Sequence, residues 1–340
     1  MQVSYQQIAL PFQYPFTISG GRTKTHQPSL IVQLQIGPYI GIGEAPAIAY
    51  YNITVEEMIA DIEAKHKMLE KFAFTEPQRW WHFLHHLFPK NPFLVCALDM
   101  AGWDLYGKMK GQPLYKLWNT EWRNFPITDY TIGIDTIEKM VEKMKAFPHP
   151  IYKIKMGMEN DLEMIDELRK HTSAIFRVDA NAGWTFEEAK IKIAALVHYN
   201  VELVEQPLAK DNWDEMKELF NWSPIPLIAD ESCVFENDVA KCVHHFHGIN
   251  IKLTKCSGIT PAIRMIEQAK KLDLKVMMGS MNECTVGAAA NAHFIPQLDF
   301  LDMDGPLLLA QDIASGLEFN SGVVSINGKT GLGVTLKQPL

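Results

Sequence analysis

Ile151-Tyr152-Lys153-Ile154-Lys155 is a short, strand-like run that ends on a charged residue, and four more runs in the second half of the chain repeat that form. Residues 176–179 end on Asp179, 201–205 on Glu205, 227–230 on Asp230 and 249–252 on Lys252. The terminal charges are spaced 24, 26, 25 and 22 residues apart, the length of one strand, one helix and two short loops. Between them, segments such as 186–199 and 260–271 carry helical periodicity and strong helix formers. Repeated strand–helix units with parallel strands close into a barrel, and the C-terminal ends of barrel strands converge on one bowl. Lys155, Asp179, Glu205, Asp230 and Lys252 are therefore expected to be neighbours.

The same reading extended outward predicts eight barrel strands, at 125–133, 151–155, 176–179, 201–205, 227–230, 249–252, 275–279 and 300–304. At 340 residues the chain is longer than a barrel of about 250, so a second lobe is expected. The first 120 or so residues supply it. Strands are predicted at 2–10, 29–36 and 39–45, the last two joined by a Gly37-Pro38 turn, and helices at 54–69, 76–87 and 91–117, the first opened by a Thr54/Glu57 capping box. Residues 317–337 are glycine-rich with alternating Val and Ile, and are assigned to this α+β lobe as strand. The expected division is thus 1–122, joined by 315–340, and a barrel at 123–314. Ser19-Gly20-Gly21-Arg22-Thr23-Lys24-Thr25 is too polar for a packed element and reads as a mobile loop. With 46–52, which carries Tyr50 and Tyr51, it forms either a lid over the barrel mouth or two ordinary surface loops.

Composition narrows the partners. Apolar residues make up 47% and charged ones 21%, as in a soluble protein with a large core, and the net charge of −8 without a Lys/Arg stripe argues against nucleic acid. Residues 1–10 alternate like a strand rather than a signal peptide, and no apolar run is long enough to span a bilayer, so no membrane partner is expected. The five cysteines form no CxxC pair and read as reduced, buried thiols, which fits a cytoplasmic protein. A small-molecule substrate is the expected partner.

Asp179, Glu205 and Asp230 fall on three consecutive strands. Three clustered carboxylates repel unless one takes a proton or a cation neutralises them. Oxygen donors without histidine or cysteine at matching positions point to Mg2+, or Mn2+ in its place, rather than zinc. Lys155 and Lys252 lie four strands apart in a ring of eight and should face each other across the bowl. Lys153 shares a strand face with Lys155, and two ammonium groups that close lower one another's proton affinity, from about 10.4 towards the 7 to 8 suited to proton transfer. Lys153 is either catalytic or a supporting charge, and Lys255 reads as solvated. Asp302 and Asp304, on strand eight, are opposite Glu205 and out of reach of its cation. They make a negative wall suited to an ammonium group; in the alternative, one caps a loop and the other meets Lys153. Gly41-Ile42-Gly43 is a glycine pair inside a hairpin, not a dinucleotide loop.

These residues also carry a resemblance. Lys153-Ile154-Lys155, Val178-Asp179-Ala180-Asn181, Val204-Glu205-Gln206-Pro207, Asp230-Glu231-Ser232 and Ile251-Lys252-Leu253 resemble the ordered motifs of the enolase superfamily, muconate-lactonising subgroup. The run 97–105 in the first lobe is similar to that family's helix. Asp302-Met303-Asp304-Gly305-Pro306, with Met278-Gly279-Ser280-Met281, is similar to the dipeptide epimerases, such as those acting on Ala-D/L-Glu. The resemblance implies an α/β fold, a modified TIM barrel of (β/α)7β form under an N-terminal α+β capping domain, with Mg2+. It implies metal ligands at Asp179, Glu205 and Asp230, acid/base lysines at Lys155 and Lys252, ammonium recognition at Asp302 and Asp304, and a homo-oligomer. Gly305 and Cys256-Ser257-Gly258 depart from the family pattern, the latter from a small-Gly-Gly run.

The expected reaction is a 1,1-proton transfer. One lysine removes the α-proton of a dipeptide's second residue, the cation stabilises the enediolate, and the opposite lysine reprotonates the other face. Rival readings are a cycloisomerase or o-succinylbenzoate synthase-type lyase of the same superfamily, and a Schiff-base aldolase built on Lys252. For the side chain, Arg22 and Lys24 suit an acidic group, whereas Ser280, Met281 and Met303 border a pocket that suits an apolar one.

Overall fold

The computed structural model describes residues 1–18, 22–123, 126–157 and 160–338. Ser19, Gly20 and Gly21 of the expected loop lie outside the described residues, as do the side chain of Arg22 and Phe125, the first residue of the expected strand one.

The chain opens with an antiparallel sheet of β1 (Gln2–Ile18), β2 (Arg22–Ile36) and β3 (Tyr39–Pro46). Its first two strands run further than expected. After an irregularity between Pro11 and Phe16 the ladder resumes with Phe16 opposite Lys24 and Thr17 opposite Thr23, so residues 22–25 are strand, not loop. Backbone pairing needs no apolar side chains, and Phe16-Thr17-Ile18 and the threonines at 23 and 25 favour extended backbone. Three helices follow: α1 (Val55–Lys71), α2 (Pro77–Leu87) and α3 (Pro92–Lys110). Thr54 Oγ1 caps α1 by accepting the Glu57 N–H at 3.2 Å. The helix expected at 91–117 stops at Gly111, whose φ of +67° ends it in a left-handed turn before a short helix at Leu114–Leu117.

α3 is buried on almost every side, between this sheet and the barrel. Gly41 and Gly43 explain how β3 gets so close. A Cβ on Gly43 would lie 1.9 Å from the carbonyl oxygen of Ala97, and one on Gly41 would lie 2.0 Å from that of Ala101. The glycine pair is a packing device.

Eight parallel strands form the second layer: β4 (Tyr130–Ile132), β5 (Ile151–Lys155), β6 (Ile175–Asp179), β7 (Val201–Glu205), β8 (Leu227–Ala229), β9 (Gly248–Ile251), β10 (Lys275–Met278) and β11 (Phe300–Leu301). Their order in the sheet is their order in the sequence, a helical segment links each to the next, and a parallel bridge between Thr128 and Leu301 joins the two ends. β11 is followed by a short helix, Gly305–Leu308, and among the described residues no further barrel strand, so the repeat ends on a strand, in a (β/α)7β arrangement. Most strand residues are buried, as expected of a sheet covered on both faces. The first, fifth, seventh and eighth strands are shorter than expected, so Asp230 lies just past β8 and Asp302–Asp304 lie beyond the β11 ladder.

The C-terminal segment forms β12 (Ala314–Ser315), a hairpin of β13 (Leu317–Asn320) and β14 (Val323–Ile326), and β15 (Thr335–Leu336), which pairs with β12. It touches both layers: Leu332 N–H donates to Asp104 on α3 at 2.8 Å, and Thr128 N–H ahead of β4 donates to Gly322 O at 2.8 Å. All five cysteines are buried and unpaired. Among the described residues, no helix is long and apolar enough to cross a membrane.

Candidate active site

Pairing register brings the strand tips together. Lys155 on β5 is opposite Asp179 on β6, Asp179 is opposite Glu205 on β7, and Asp230 follows β8. Above them opens a cavity of about 360 Å3. Lys153, Lys155, Asp230, Lys252, Ser280, Met281, Asp302 and Asp304 line it from the barrel, and Phe16, Lys24, Tyr50 and Tyr51 from the N-terminal lobe. Asp179 and Glu205 lie beneath, fully buried.

The carboxylates are engaged by lysines. Lys155 Nζ donates to Asp179 Oδ2 at 2.6 Å and Lys252 Nζ to Asp230 Oδ2 at 2.7 Å. Lys153 Nζ sits among three acids, 2.7 Å from Asp302 Oδ2, 3.1 Å from Asp179 Oδ2 and 2.8 Å from Glu205 Oε2, the last an ion pair without hydrogen-bond alignment. Asn181 N–H holds Asp179 Oδ1 at 2.9 Å, Asn250 Nδ2 holds Glu205 Oε1 at 2.8 Å, and Gln206 Oε1 accepts the Asp230 N–H at 3.0 Å.

Several expectations change. Lys255, read as solvated, is 1% exposed, and its ammonium shares its three N–H groups among four acceptors, Asp230 Oδ1 and the carbonyls of Asp230, Cys233 and Asn250. The reason is local: Leu253–Cys256 is one helical turn directed inward, with all four residues buried. Asp302 and Asp304 are not a detached wall. Asp302 shares Lys153 with Asp179 and Glu205, and Asp304 Oδ2 accepts the Thr131 N–H at 2.6 Å, which is the arrangement in which one aspartate meets Lys153. Among the described residues, the set of acids whose oxygens all lie within 4.8 Å of one another is Asp129, Asp302 and Asp304, not Asp179, Glu205 and Asp230. Asp179 and Glu205 share Lys153, while Asp230 is held by Lys252 and Lys255.

The expected lowering of lysine proton affinity is also reversed. Burial disfavours the charged form of Lys153, but Asp302, Glu205 and Asp179 outweigh it and hold its pKa well above the usual value; for Lys252, Asp230 and Glu205 do the same. Asp179 and Asp230 are held low, because their lysine partners overcome the cost of burial. Two other carboxyls go up: Glu205 to about 7, by burial and the charge of Asp179, and Glu231 to about 8, by burial and the charges of Asp230 and Asp179. Glu231 Oε2 is shut off from solvent and has no hydrogen-bond partner. The bowl thus holds more carboxylate than its lysines neutralise, with hard oxygen donors on consecutive strand ends. That donor set fits a divalent cation such as Mg2+.

Sequence reasoning gave no role to Glu231, Asn181, Thr131 or Asn282, all of which line the cavity. The signal for the first two was adjacency, since Glu231 follows Asp230 and Asn181 is two residues past Asp179. Lys24 lines the cavity and its Nζ is 3.4 Å from Gln27 Oε1.

Comparison with known proteins agrees with this architecture. Residues 2–118 match the mandelate racemase / muconate lactonizing enzyme N-terminal domain, and residues 135–340 the enolase C-terminal domain-like family. The chain belongs to the mandelate racemase/muconate-lactonising family of the enolase superfamily. An L-Ala-D/L-amino acid epimerase of Flavobacterium johnsoniae is 50% identical over 99% of this chain and 100% of its own length. An L-Ala-D/L-Glu epimerase of Bacteroides thetaiotaomicron is 35% identical over 98% of this chain and 88% of its own. Among solved structures, a dipeptide epimerase of Cytophaga hutchinsonii complexed with Mg and D-Ala-L-Val superposes with a TM-score of 0.92, at 26% identity over 99% of this chain and 96% of that one. The substrate-liganded L-Ala-D/L-Glu epimerase of Bacillus subtilis gives 0.91, at 29% identity over 98% of each chain. With relatives of this kind along its whole length, the protein is an enzyme of the isomerase class.

Proposed function

We propose that the protein is a Mg2+-dependent dipeptide epimerase that inverts the α-carbon of the second residue by two-base 1,1-proton transfer. The observation that carries the reading is the pair Lys155 and Lys252, which open into one cavity from strand tips four apart, with acids on the three strands between them. Lys155 takes the α-proton from one face of the substrate and Lys252 returns one to the other, and the roles swap with direction. Asp179, Glu205 and Asp230 are the residues that would hold the cation. When bound, the cation supplies a Lewis acid for the substrate carboxylate and offsets the charge that develops as the proton leaves. Asp302 and Asp304 receive the ammonium of the first residue, and Lys153 orients Asp302. In this reading the N-terminal lobe, 1–122 with 315–340, caps the barrel of 123–314.

The 50% identity to an L-Ala-D/L-amino acid epimerase supports alanine in first position and a second residue of varied chemistry. The lining agrees: Phe16, Tyr50, Tyr51 and Met281 offer apolar surface and Lys24 a charge, with Arg22 two residues before it in sequence. An aldolase would use Lys252 alone and leave Lys155 and the acids on the three strands between them without a part. A cycloisomerase makes no use of an ammonium site at Asp302 and Asp304. The test is a library of L-Ala-L-Xaa dipeptides incubated with enzyme and Mg2+ in D2O. Epimerisation accompanied by mass gain at the second residue, abolished by EDTA, is expected; no deuterium in any dipeptide would overturn the reading.

A further inference from the structure

Two hydrogen-bond acceptors at the edge of the bowl have no partner: Asn181 Oδ1 and Glu231 Oε2, both shut off from solvent. Both residues line the cavity, and each flanks a proposed cation ligand, Asn181 two residues beyond Asp179 and Glu231 next to Asp230. They also touch. Asn181 Nδ2 donates to Glu231 Oε1 at 3.4 Å, which leaves Asn181 Oδ1 as the second free acceptor. Asn181 is held at a φ of +46° and Ala182 at +60°, left-handed conformations uncommon outside glycine, which persist where the surroundings impose them. Two unpartnered acceptors, joined side by side over three acids, call for a ligand that donates hydrogen bonds.

Mg2+ gives up its hydration reluctantly and usually keeps several waters, whose polarised hydrogens need acceptors of this kind. We propose that Asn181 and Glu231 form the outer layer of the cation site, accepting hydrogen bonds from water bound to an ion held by Asp179, Glu205 and Asp230. This rests on the reading of those three residues as ligands. A substrate N–H or ammonium group could satisfy the same acceptors, so the test is made without dipeptide.

Mn2+ is titrated into the full chain, free ion is followed by electron paramagnetic resonance, and bound water by proton relaxation. Asn181→Gly keeps the left-handed backbone and changes no charge; Glu231→Gln removes the charge in nearly the same shape. Both are expected to weaken Mn2+ binding about tenfold and to alter the relaxation of the bound ion's water, with melting in EDTA matching the parent for Asn181→Gly. If Asn181→Gly binds within about twofold of the parent with unchanged relaxation, the proposal is overturned, whatever Glu231→Gln does, since its effect would then be one of charge alone. Asp179→Asn is the control. If it binds Mn2+ as the parent does, the ligand assignment itself falls; if it loses binding while Asn181→Gly does not, only the outer layer falls.

Discussion

Replacing Lys255 by methionine tests how the bowl is held together. The Lys255 ammonium is fully enclosed and shares its three N–H groups among Asp230 Oδ1, Asp230 O at 2.6 Å, and Cys233 O and Asn250 O at 3.1 Å each. Methionine fills the space but leaves Asp230 with one ammonium, Lys252, where it had two. Removing one partner of a buried ion pair costs about 3 to 5 kcal/mol, and we take about 4 kcal/mol here because Lys252 still compensates the carboxylate in part while three carbonyls lose a donor. With an unfolding entropy of about 2.1 cal/mol/K per residue, a chain of this length should lose about 6 °C in Tm. Calorimetry in EDTA reads the effect without interference from cation binding. The cause is isolated by a double-mutant cycle with Asp230→Asn, in which the two substitutions should be less damaging together than their sum by about 2 kcal/mol. A Tm within about 1 °C of the parent, or strict additivity in the cycle, would refute the claim that Lys255 acts through Asp230.

Further expectations concern chemistry, pH and packing. Lys155→Ala and Lys252→Ala should each lose α-proton exchange from one epimer by about 10^2 to 10^4-fold and keep it from the other; retention on both epimers in both variants would end the two-base proposal. Asp99 and Glu283, buried and pushed up to about 7 mainly by burial, hold protons in the folded chain that the unfolded chain has released, and Glu205, also at about 7, adds the same sign. Their stabilisation is complete below the ordinary carboxylate pKa and is lost as pH rises through about 7, so Tm in EDTA should fall between about pH 5 and pH 8. Asp179 and Asp230, held low, act in the opposite direction only below that window; His293, His149, His247 and His85, pushed down by burial, oppose the fall inside it, where Glu231 at about 8 and Asp304 at about 7 add to the other carboxyls. A Tm that is flat or rising would contradict this; added Mg2+ should raise Tm more at the alkaline end, where protons no longer compete. Gly258→Ala should destabilise by about 3 kcal/mol in urea titration, because at a φ of +130° its new Cβ would lie 2.4 Å from Asp99 Oδ2; an unchanged midpoint would show that the Asp99 contact yields freely.

The barrel was legible because each of its charges closes a β-favouring run, so spacing alone numbers the strands and aligns Lys155, Asp179 and Glu205. Lys255 was not. Three residues past a strand, a lysine looks like the solvated side of a helix, and only the inward turn of Leu253–Cys256 buries it. The grouping of Asp129 with Asp302 and Asp304 was equally hidden, since Asp129 precedes β4 and depends on Arg177 from β6, whose Nη1 reaches it at 2.9 Å. The direction of the lysine shifts failed for a related reason: sequence spacing shows that Lys153 and Lys155 are close, but not that three acids surround Lys153. Residues 22–25 were misread because Thr23-Lys24-Thr25 is polar, whereas the ladder there is held by backbone.

Phe16 and Lys24 face each other across the β1–β2 ladder and look into the same cavity as the two catalytic candidates, which stand on strands far downstream. What a guest molecule meets on entry and what then acts on it are written in separate stretches of the chain. A lineage can therefore revise its menu by altering one rung of the first two strands while the reactive apparatus beneath is inherited intact.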